Sequence, residues 1–473
     1  MTIRMRTWFR LFFVALAAGG CTRSDVEGSP RELAPIGPVP EYAQLPGDPA
    51  AGYDTVLNAG YVSCGIPLTA WDRLVGETPS TTWIPGRTGR NATLPYAYTA
   101  FTSPRSDVEL VSANCLTCHA AYFDGELVVG LGNESRDYTD DLSFYAEAVG
   151  AFVTDPEERV EWRLWADRVG AIAPYSRTHT IGANPADNLT AAIFAHLDPV
   201  TLEWSEELRM DPPPEYVVPS SPPPWWWMKK KNAMFYTASG RGDHTRFMML
   251  ASSLCSEGVD EAAAINGMFD DVRAWIASLE APAWPFAQPD PVLAREGERV
   301  FQAACSRCHG TYGPAGVYPN LVVGLDEIGT DPWIAEGATT NTDRFLGWFE
   351  DSWYAQGAEL TPAPGYVAPP LDGVWATAPY LHNGSVPTIE LLLNSPSRPQ
   401  FWTRTFASTD YDPDALGWNF TALDHGKAGE PDSSERARIY DTTQDGYANT
   451  GHTFGDVLDD DARRAVLEYL KTL

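Results

Sequence analysis

Apolar residues recur at helical spacing in three well-defined stretches. Between Glu261 and Leu279, Ile265, Phe269, Val272, Trp275, Ile276 and Leu279 fall on one face. Between Leu293 and Ala304, Leu293, Gly297, Val300, Phe301 and Ala304 share a face in the same way. Asp459 to Leu473 forms the third, with Val466, Tyr469 and Leu470 apolar and Asp459 and Asp460 near the start, where carboxylates favour a helix N-terminus. Residues 141–170 also read as helical. The pattern then breaks at Pro212–Pro214 and Pro222–Pro224, where the fixed φ of proline predicts a stiff extended connection. Trp225, Trp226 and Trp227 follow at once, and then Lys229 to Tyr236. An irregular insertion this rich in aromatic residues predicts the wall of a site.

Two motifs give these helices a purpose. Cys115-Leu116-Thr117-Cys118-His119 and Cys305-Ser306-Arg307-Cys308-His309 each carry the spacing of c-type haem attachment. Two thiols add across the haem vinyl groups, and the adjoining imidazole faces the iron. Zinc or redox Cys-x-x-Cys pairs are the competing use, but the His follows directly both times. A helix leading into the second motif and a C-terminal helix crossing it make a cytochrome c scaffold, and the 261–279 helix repeats that ending for the first. The expected fold is mainly α: two tandem cytochrome c-like haem domains with a long loop-rich insertion in the first. The expected boundaries are a signal peptide at 1–20, a tether at 21–50, an N-terminal haem domain at 51–285 and a C-terminal one at 286–473. Ala281-Pro282-Ala283-Trp284-Pro285 marks the junction. Two covalently bound haem c groups are the expected cofactors.

The group opposite each proximal His decides what each haem does: a second strong ligand makes an electron carrier, an open face a gas- or peroxide-binding centre. Six further His exist: His179, His196, His244, His382, His425 and His452. His452 precedes the last helix, where small c-type cytochromes place their sixth ligand, so His309 and His452 are the expected axial pair of the second iron. His382 is the alternative, with a propionate contact or a turn as its other uses. No comparable residue precedes the first unit's closing helix. Met248 and Met249 lie in an apolar run and read as core. His119 is therefore expected to hold an iron with an accessible far side, near Trp225, Trp226, Trp227, Phe235, Tyr236 and His244. Lys229 to Lys231 are read either as propionate contacts or as a solvated basic patch.

Composition narrows the partners. Asp and Glu outnumber Lys and Arg by 63 to 33, a formal charge of -30. That excludes nucleic acid and anionic lipid surfaces, which require basic patches. A solubilising surface is the plain reading, and a basic redox partner is compatible with it. Arg4, Arg6 and Arg10 precede the short apolar stretch Leu11–Ala18, an export signal too short to span a bilayer. Ala18-Gly19-Gly20-Cys21 makes Cys21 a candidate lipidation site, and ordinary cleavage after Ala15-Leu16-Ala17 is the alternative. The expected location is periplasmic, outer-membrane-anchored through lipid, or secreted. Of seven Cys, four carry haem and one is Cys21. Cys64 and Cys255 remain, as one disulfide or as two buried thiols.

Several stretches resemble the bacterial dihaem cytochrome c peroxidase superfamily, and within it the rubber oxygenase branch. They are Asn58 to Pro67, Trp226 to Tyr236, Pro370 to Thr388 with its Ala-Pro-Tyr-Leu-His-Asn-Gly-Ser core, and Gly451 to Gly455. The resemblance covers most of residues 50–473. It implies an N-terminal haem that binds dioxygen and attacks a carbon–carbon double bond, and a bis-His C-terminal haem that supplies electrons. It further implies Trp226 between the haems and Phe235 in an apolar oxygen pocket, together the catalytic candidates. A calcium ion between the units is frequent in the superfamily. The chain is shorter than a typical rubber oxygenase, so the implied substrate is a small apolar unsaturated compound. Three functions follow as expectations: an O2-dependent dioxygenase-like enzyme, an H2O2-reducing peroxidase fed by a redox partner protein, and an electron carrier without turnover.

Overall fold

Two helix crossings, each closed on a glycine, frame the molecule. The computed structural model describes residues 33–340 and 343–473. Helix α1 (Pro49–Asn58) starts on Asp48, whose carboxylate accepts from the Ala50 N–H, with Pro49 in the first turn where its missing N–H costs nothing. It packs on α2 (Val259–Ser278) with Gly52 pressed against the Asp271 carbonyl. The same device recurs further on. Helix α3 (Pro291–Ala304) starts on Asp290, which accepts from the N–H groups of Val292 and Leu293, again with Pro at the first position. It packs on α4 (Asp460–Leu470) with Gly297 against the Ala465 carbonyl. Aromatic rings clamp both crossings: Tyr53 with Trp275 at 5.2 Å, and Phe301 with Tyr469 at 5.3 Å.

Between these frames the chain departs from a mainly helical expectation. Short antiparallel ladders satisfy the backbone of the Pro- and Gly-rich connections, which cannot do so as helices. Tyr98–Thr102 pairs with Glu109–Ala113, and Ala120–Phe123 forms a hairpin with Glu126–Val129 directly after the first motif. The stretch 141–170 is two helices, Leu142–Val149 and Pro156–Ile172, because Gly150 and the Asp155-Pro156 start interrupt it.

The expected boundary near 285 does not separate the packing. Gly240–Gly242 pairs with Ala358–Leu360. Trp348 stacks on Phe194 at 4.0 Å and donates its indole N–H to the Leu197 carbonyl at 2.9 Å. Phe349 stacks on Phe247 at 5.4 Å. The segment around 343–360 thus returns to the first motif's core, because Trp348, Phe349 and Tyr354 form an apolar face that needs cover. The expected tether also differs from residue 33 onward. Gly37–Pro38 pairs with Leu321 and Val322, Gln44 donates to the Gly242 carbonyl and Arg273 donates to the Leu45 carbonyl. Residues 33–473 form one compact unit. The expected signal peptide and Cys21 lie outside the described residues.

Cys64 and Cys255 are joined in a disulfide across 191 residues of chain. It ties the loop after α1 to the loop before α2, so the two frame helices are linked where one ends and the other begins. A closure of that kind stabilises by roughly 2–4 kcal/mol.

A Cβ at Gly297 would lie 1.8 Å from the Ala465 carbonyl oxygen, so Gly297→Val must force α3 and α4 apart. The expected loss is about 3 kcal/mol. Gly267→Ala, on a face of α2 with nothing within 4 Å, is expected to stabilise by about 0.5–1 kcal/mol. Denaturant midpoints of the two variants, moving in opposite directions, check the packing.

Candidate functional site

The second motif closes a helical turn, Ser306–His309, at the end of α3. His309 Nδ1 bonds the Pro369 carbonyl at 2.9 Å, which leaves Nε2 on the opposite edge of the ring. His452 faces it: the two ring centroids are 6.1 Å apart. Two metal–nitrogen bonds of about 2 Å each plus the two ring radii account for that distance. His452 sits at φ 46°, a left-handed backbone that an L-residue adopts at a cost of about 1–3 kcal/mol. Its loop is over-determined. Arg398 donates to the carbonyls of Asn449 at 2.6 Å, Gly451 at 2.8 Å and His452 at 3.2 Å. The His452 N–H donates to Ile328 at 2.7 Å, and Gly451 lies against the Gly329–Thr330 peptide where no Cβ fits.

The first motif is held from its N-terminal side. Asn114 accepts from the Leu116 N–H and donates to Tyr96 and Thr99, while the Tyr61 hydroxyl accepts from the Cys115 N–H. The His119 ring stacks on Trp225 at 4.9 Å and 24°. Its Nδ1 is buried without a hydrogen-bond partner; the Pro223 carbonyl faces the imidazole but lies outside hydrogen-bond geometry. Among the described residues no second imidazole packs against His119. Burial pushes His119 down to about 4 and His452 down to about 3, and it lowers His309 as well. All three are neutral near pH 7, the form that presents a lone pair to a metal. Cys115, Cys118, Cys305 and Cys308 are outside any disulfide. Thiol pair, adjoining imidazole and an unpartnered or outward ring nitrogen at each motif fit covalently held haem.

The tryptophan run links the two cores. Trp225 belongs to the apolar cluster that contains Leu116 of the first motif, whereas Trp226 and Trp227 belong to the cluster around Phe301 of α3. Trp226 is 1% exposed and donates to the Asp372 carbonyl. Phe235 adopts φ 69°, remains 37% exposed and meets Phe247 edge-on at 5.5 Å, at the rim of the first core. Met249 is buried in that core.

His382 is drawn elsewhere. It stacks on Tyr366 at 4.0 Å, faces Tyr236 at 6.2 Å, and its Nε2 is buried without a partner. It is not brought to His309. The lysines divide: Lys229 pairs with Glu280, Lys230 pairs with Asp372, and burial pushes Lys231 down to about 8. His244 is buried and lowered to about 4 by that burial. His196 bonds the Ser205 carbonyl and stacks on Trp204, a packing role. Among the described residues no group of three or more His, Cys, Asp or Glu is arranged for a metal ion, and no helix is long and apolar enough to cross a membrane.

Sequence reasoning did not single out Glu134. It is buried, accepts from the Ser221 hydroxyl, and its backbone carbonyl accepts from Arg404. Burial pushes its carboxyl up to about 8. The signal for it is faint: Asn133, its neighbour, donates through its backbone N–H to Cys118 at 2.8 Å, which only the folded loop reveals.

Residues 365–403 match a family model described as RoxA-like, cytochrome c-like. This supports a relationship to RoxA-like cytochromes c, and a cytochrome c-like domain implies covalently bound haem c. Two uncharacterized proteins of Sinorhizobium fredii (strain NBRC 101917 / NGR234) are similar. Protein y4iJ is 31% identical over 261 residues, 41% of this chain and 41% of that protein. Protein y4iM is 33% identical over 242 residues, 42% of this chain and 53% of that protein. The chain spans about half the length of these curated relatives.

Removing the imidazole that faces His309 has a spectroscopic consequence. His452→Ala is expected to convert a low-spin ferric signal to high-spin, whereas His382→Ala leaves it unchanged. Electron paramagnetic resonance of the purified variants checks this; the opposite pattern would assign the ligand to His382.

Proposed function

We propose that the chain is an exported dihaem c-type cytochrome that acts as an oxygen-dependent, dioxygenase-like oxidoreductase on a small apolar unsaturated compound. The carrying observation is asymmetry. His309 has an imidazole partner at 6.1 Å, and His119 has a tryptophan stacked on it and no second imidazole against it among the described residues. The haem group supplies redox and gas-binding chemistry when bound. The protein's part is to seal one centre and shape the other. In this reading Arg398 and the Gly451 turn hold His452 against His309, and the second centre carries electrons. Cys115, Cys118 and His119 hold the first.

The surroundings of the first motif favour oxygen over peroxide. Phe235, Phe247 and Phe349 form a run of phenyl contacts in or beside its core. Peroxide cleavage needs a positioned acid–base group that moves a proton between the two oxygens. Phenyl walls supply no such group and instead shield a bound gas. Trp226, in contact with the second core, is assigned the interhaem position. Two tandem cytochrome c-like units are part of the proposal, supported by the repeated Asp-Pro start and glycine crossing of α1 on α2 and α3 on α4. The Cys64–Cys255 disulfide supports an oxidising, exported location.

Absorption and spin-resonance spectra before and after oxygen or peroxide test this. One high-spin and one low-spin centre are expected, with oxygen perturbing only the former. Two low-spin centres inert to both reagents would leave an electron carrier; a response to peroxide alone would make the protein a peroxidase.

A further inference from the structure

Two of the three indoles meet on a single peptide carbonyl. Trp226 Nε1 donates to the Asp372 oxygen at 2.8 Å, and Trp227 Nε1 donates to the same oxygen at 2.7 Å. A carbonyl offers two lone pairs, so this one is fully used. The Asp372 carboxylate is held in turn by Lys230, whose Nζ lies 2.7 Å from both of its oxygens. Lys230 also sits 5.0 Å from the centre of the Tyr312 ring.

Residues 369–372 therefore act as a strap with both ends tied. At one end the Pro369 carbonyl accepts from His309 Nδ1. In the middle the Leu371 N–H donates to the Tyr312 hydroxyl at 2.6 Å, and that hydroxyl donates to the His309 carbonyl at 3.0 Å. At the other end Asp372 takes both indoles. Trp225, next in the chain, lies on His119. The route from His119 to His309 is one ring contact, a short tryptophan segment, and the strap.

We infer that the Lys230–Asp372 ion pair is a positioning device for electron exchange between the two motif-bound haems, fixing the strap so that Trp226 and Trp227 stay on one carbonyl in the gap between them. The inference rests on the dihaem reading above. The step is transfer of one electron: one iron is oxidised as the other is reduced, with no bond made and no proton moved. Exchange across a protein gap falls steeply with separation, so a strap free to shift slows it.

Fold stability is a poor reason for this pair. Its side chains are 31% and 25% exposed, and pairs that water reaches contribute about 0–1 kcal/mol. A polar surface recess of about 440 Å³, lined by Lys230, Tyr312, Tyr318, Asp372 and Leu473 among others, borders it. Breaking the pair leaves the surviving charge solvated rather than stranded, so variants at these positions keep their fold.

The test uses full-length dihaem protein with Lys230→Met, Asp372→Asn and Lys230→Arg. Haem content by the pyridine haemochrome assay comes first: fewer than two haems per parent chain overturns the dihaem reading and this inference with it. With two haems present, rapid mixing with substoichiometric dithionite follows electron redistribution between the centres. Exchange at least tenfold slower in the Met and Asn variants, within twofold of the parent in the Arg variant, is the expected result. Ultraviolet resonance Raman of the indole N–H gives an independent readout, with weakened hydrogen bonding expected in the Met and Asn variants only. Exchange within twofold of the parent in both broken-pair variants, at unchanged haem content, overturns the inference alone.

Discussion

The 6.1 Å between the His309 and His452 rings is the distance on which the rest of the molecule is organised. Two neutral imidazoles buried near one another, their planes tilted by 59°, gain nothing from each other: burial has already cost each its water, and a close like pair adds no attraction. The arrangement makes sense when an iron draws on both lone pairs. Around it the protein spends several otherwise expensive features. His452 accepts a left-handed backbone, Gly451 admits a peptide where a side chain would collide, and Arg398 commits its guanidinium to loop carbonyls. None of these would persist in a loop with no duty, because each is opposed by strain or by the entropy of ordering the chain.

The first motif is built on a different principle. His119 has no imidazole across from it among the described residues, and its ring is braced from the side by Trp225. Trp225 meets Trp275 of α2 edge-on at 5.6 Å, so the brace is anchored in the frame helix. Rigid support on one side and aromatic walls nearby suit a centre whose other side receives something that comes and goes. A carrier would gain from sealing both motifs alike, and this chain treats the two motifs unalike.

Much of this was legible in the sequence for identifiable reasons. α2, α3 and α4 announce themselves because a buried face must repeat at the helical period, and α3 shows its start through Asp290-Pro291. The two Cys-x-x-Cys-His motifs are legible because the usual c-type haem attachment sets two thiols and an imidazole at that spacing. Position in the sequence offered both His452 and His382 as candidates opposite His309, each a single His within two residues of a glycine. Only the fold shows His382 spent on Tyr366. The return of Trp348 and Phe349 to the first core was hidden as well. An apolar face states that it will be buried, never against what. The threading of residues 33–48 was read as a tether because Pro and Gly disfavour helices and long strands, but such segments can still pair two residues at a time with an existing edge, as Gly37–Pro38 does.

The tryptophan run shows why composition alone misleads at such a place. Three consecutive indoles look like apolar filler, yet each brings an N–H that burial would strand. In a short 3₁₀ segment, Trp225–Lys230, successive side chains diverge. That divergence sends Trp225 into one core and Trp226 and Trp227 into the other, with Lys230 at the end reaching the Asp372 carboxylate. An α-helix would set neighbouring side chains about 100° apart rather than the roughly 120° of the 3₁₀ turn, so the three rings would diverge less. The Pro222–Pro224 run before it prevents that helix from starting earlier. The prolines, the tryptophans and the lysine therefore form one device, in which a backbone that cannot be regular delivers three rings to two cores and one carbonyl.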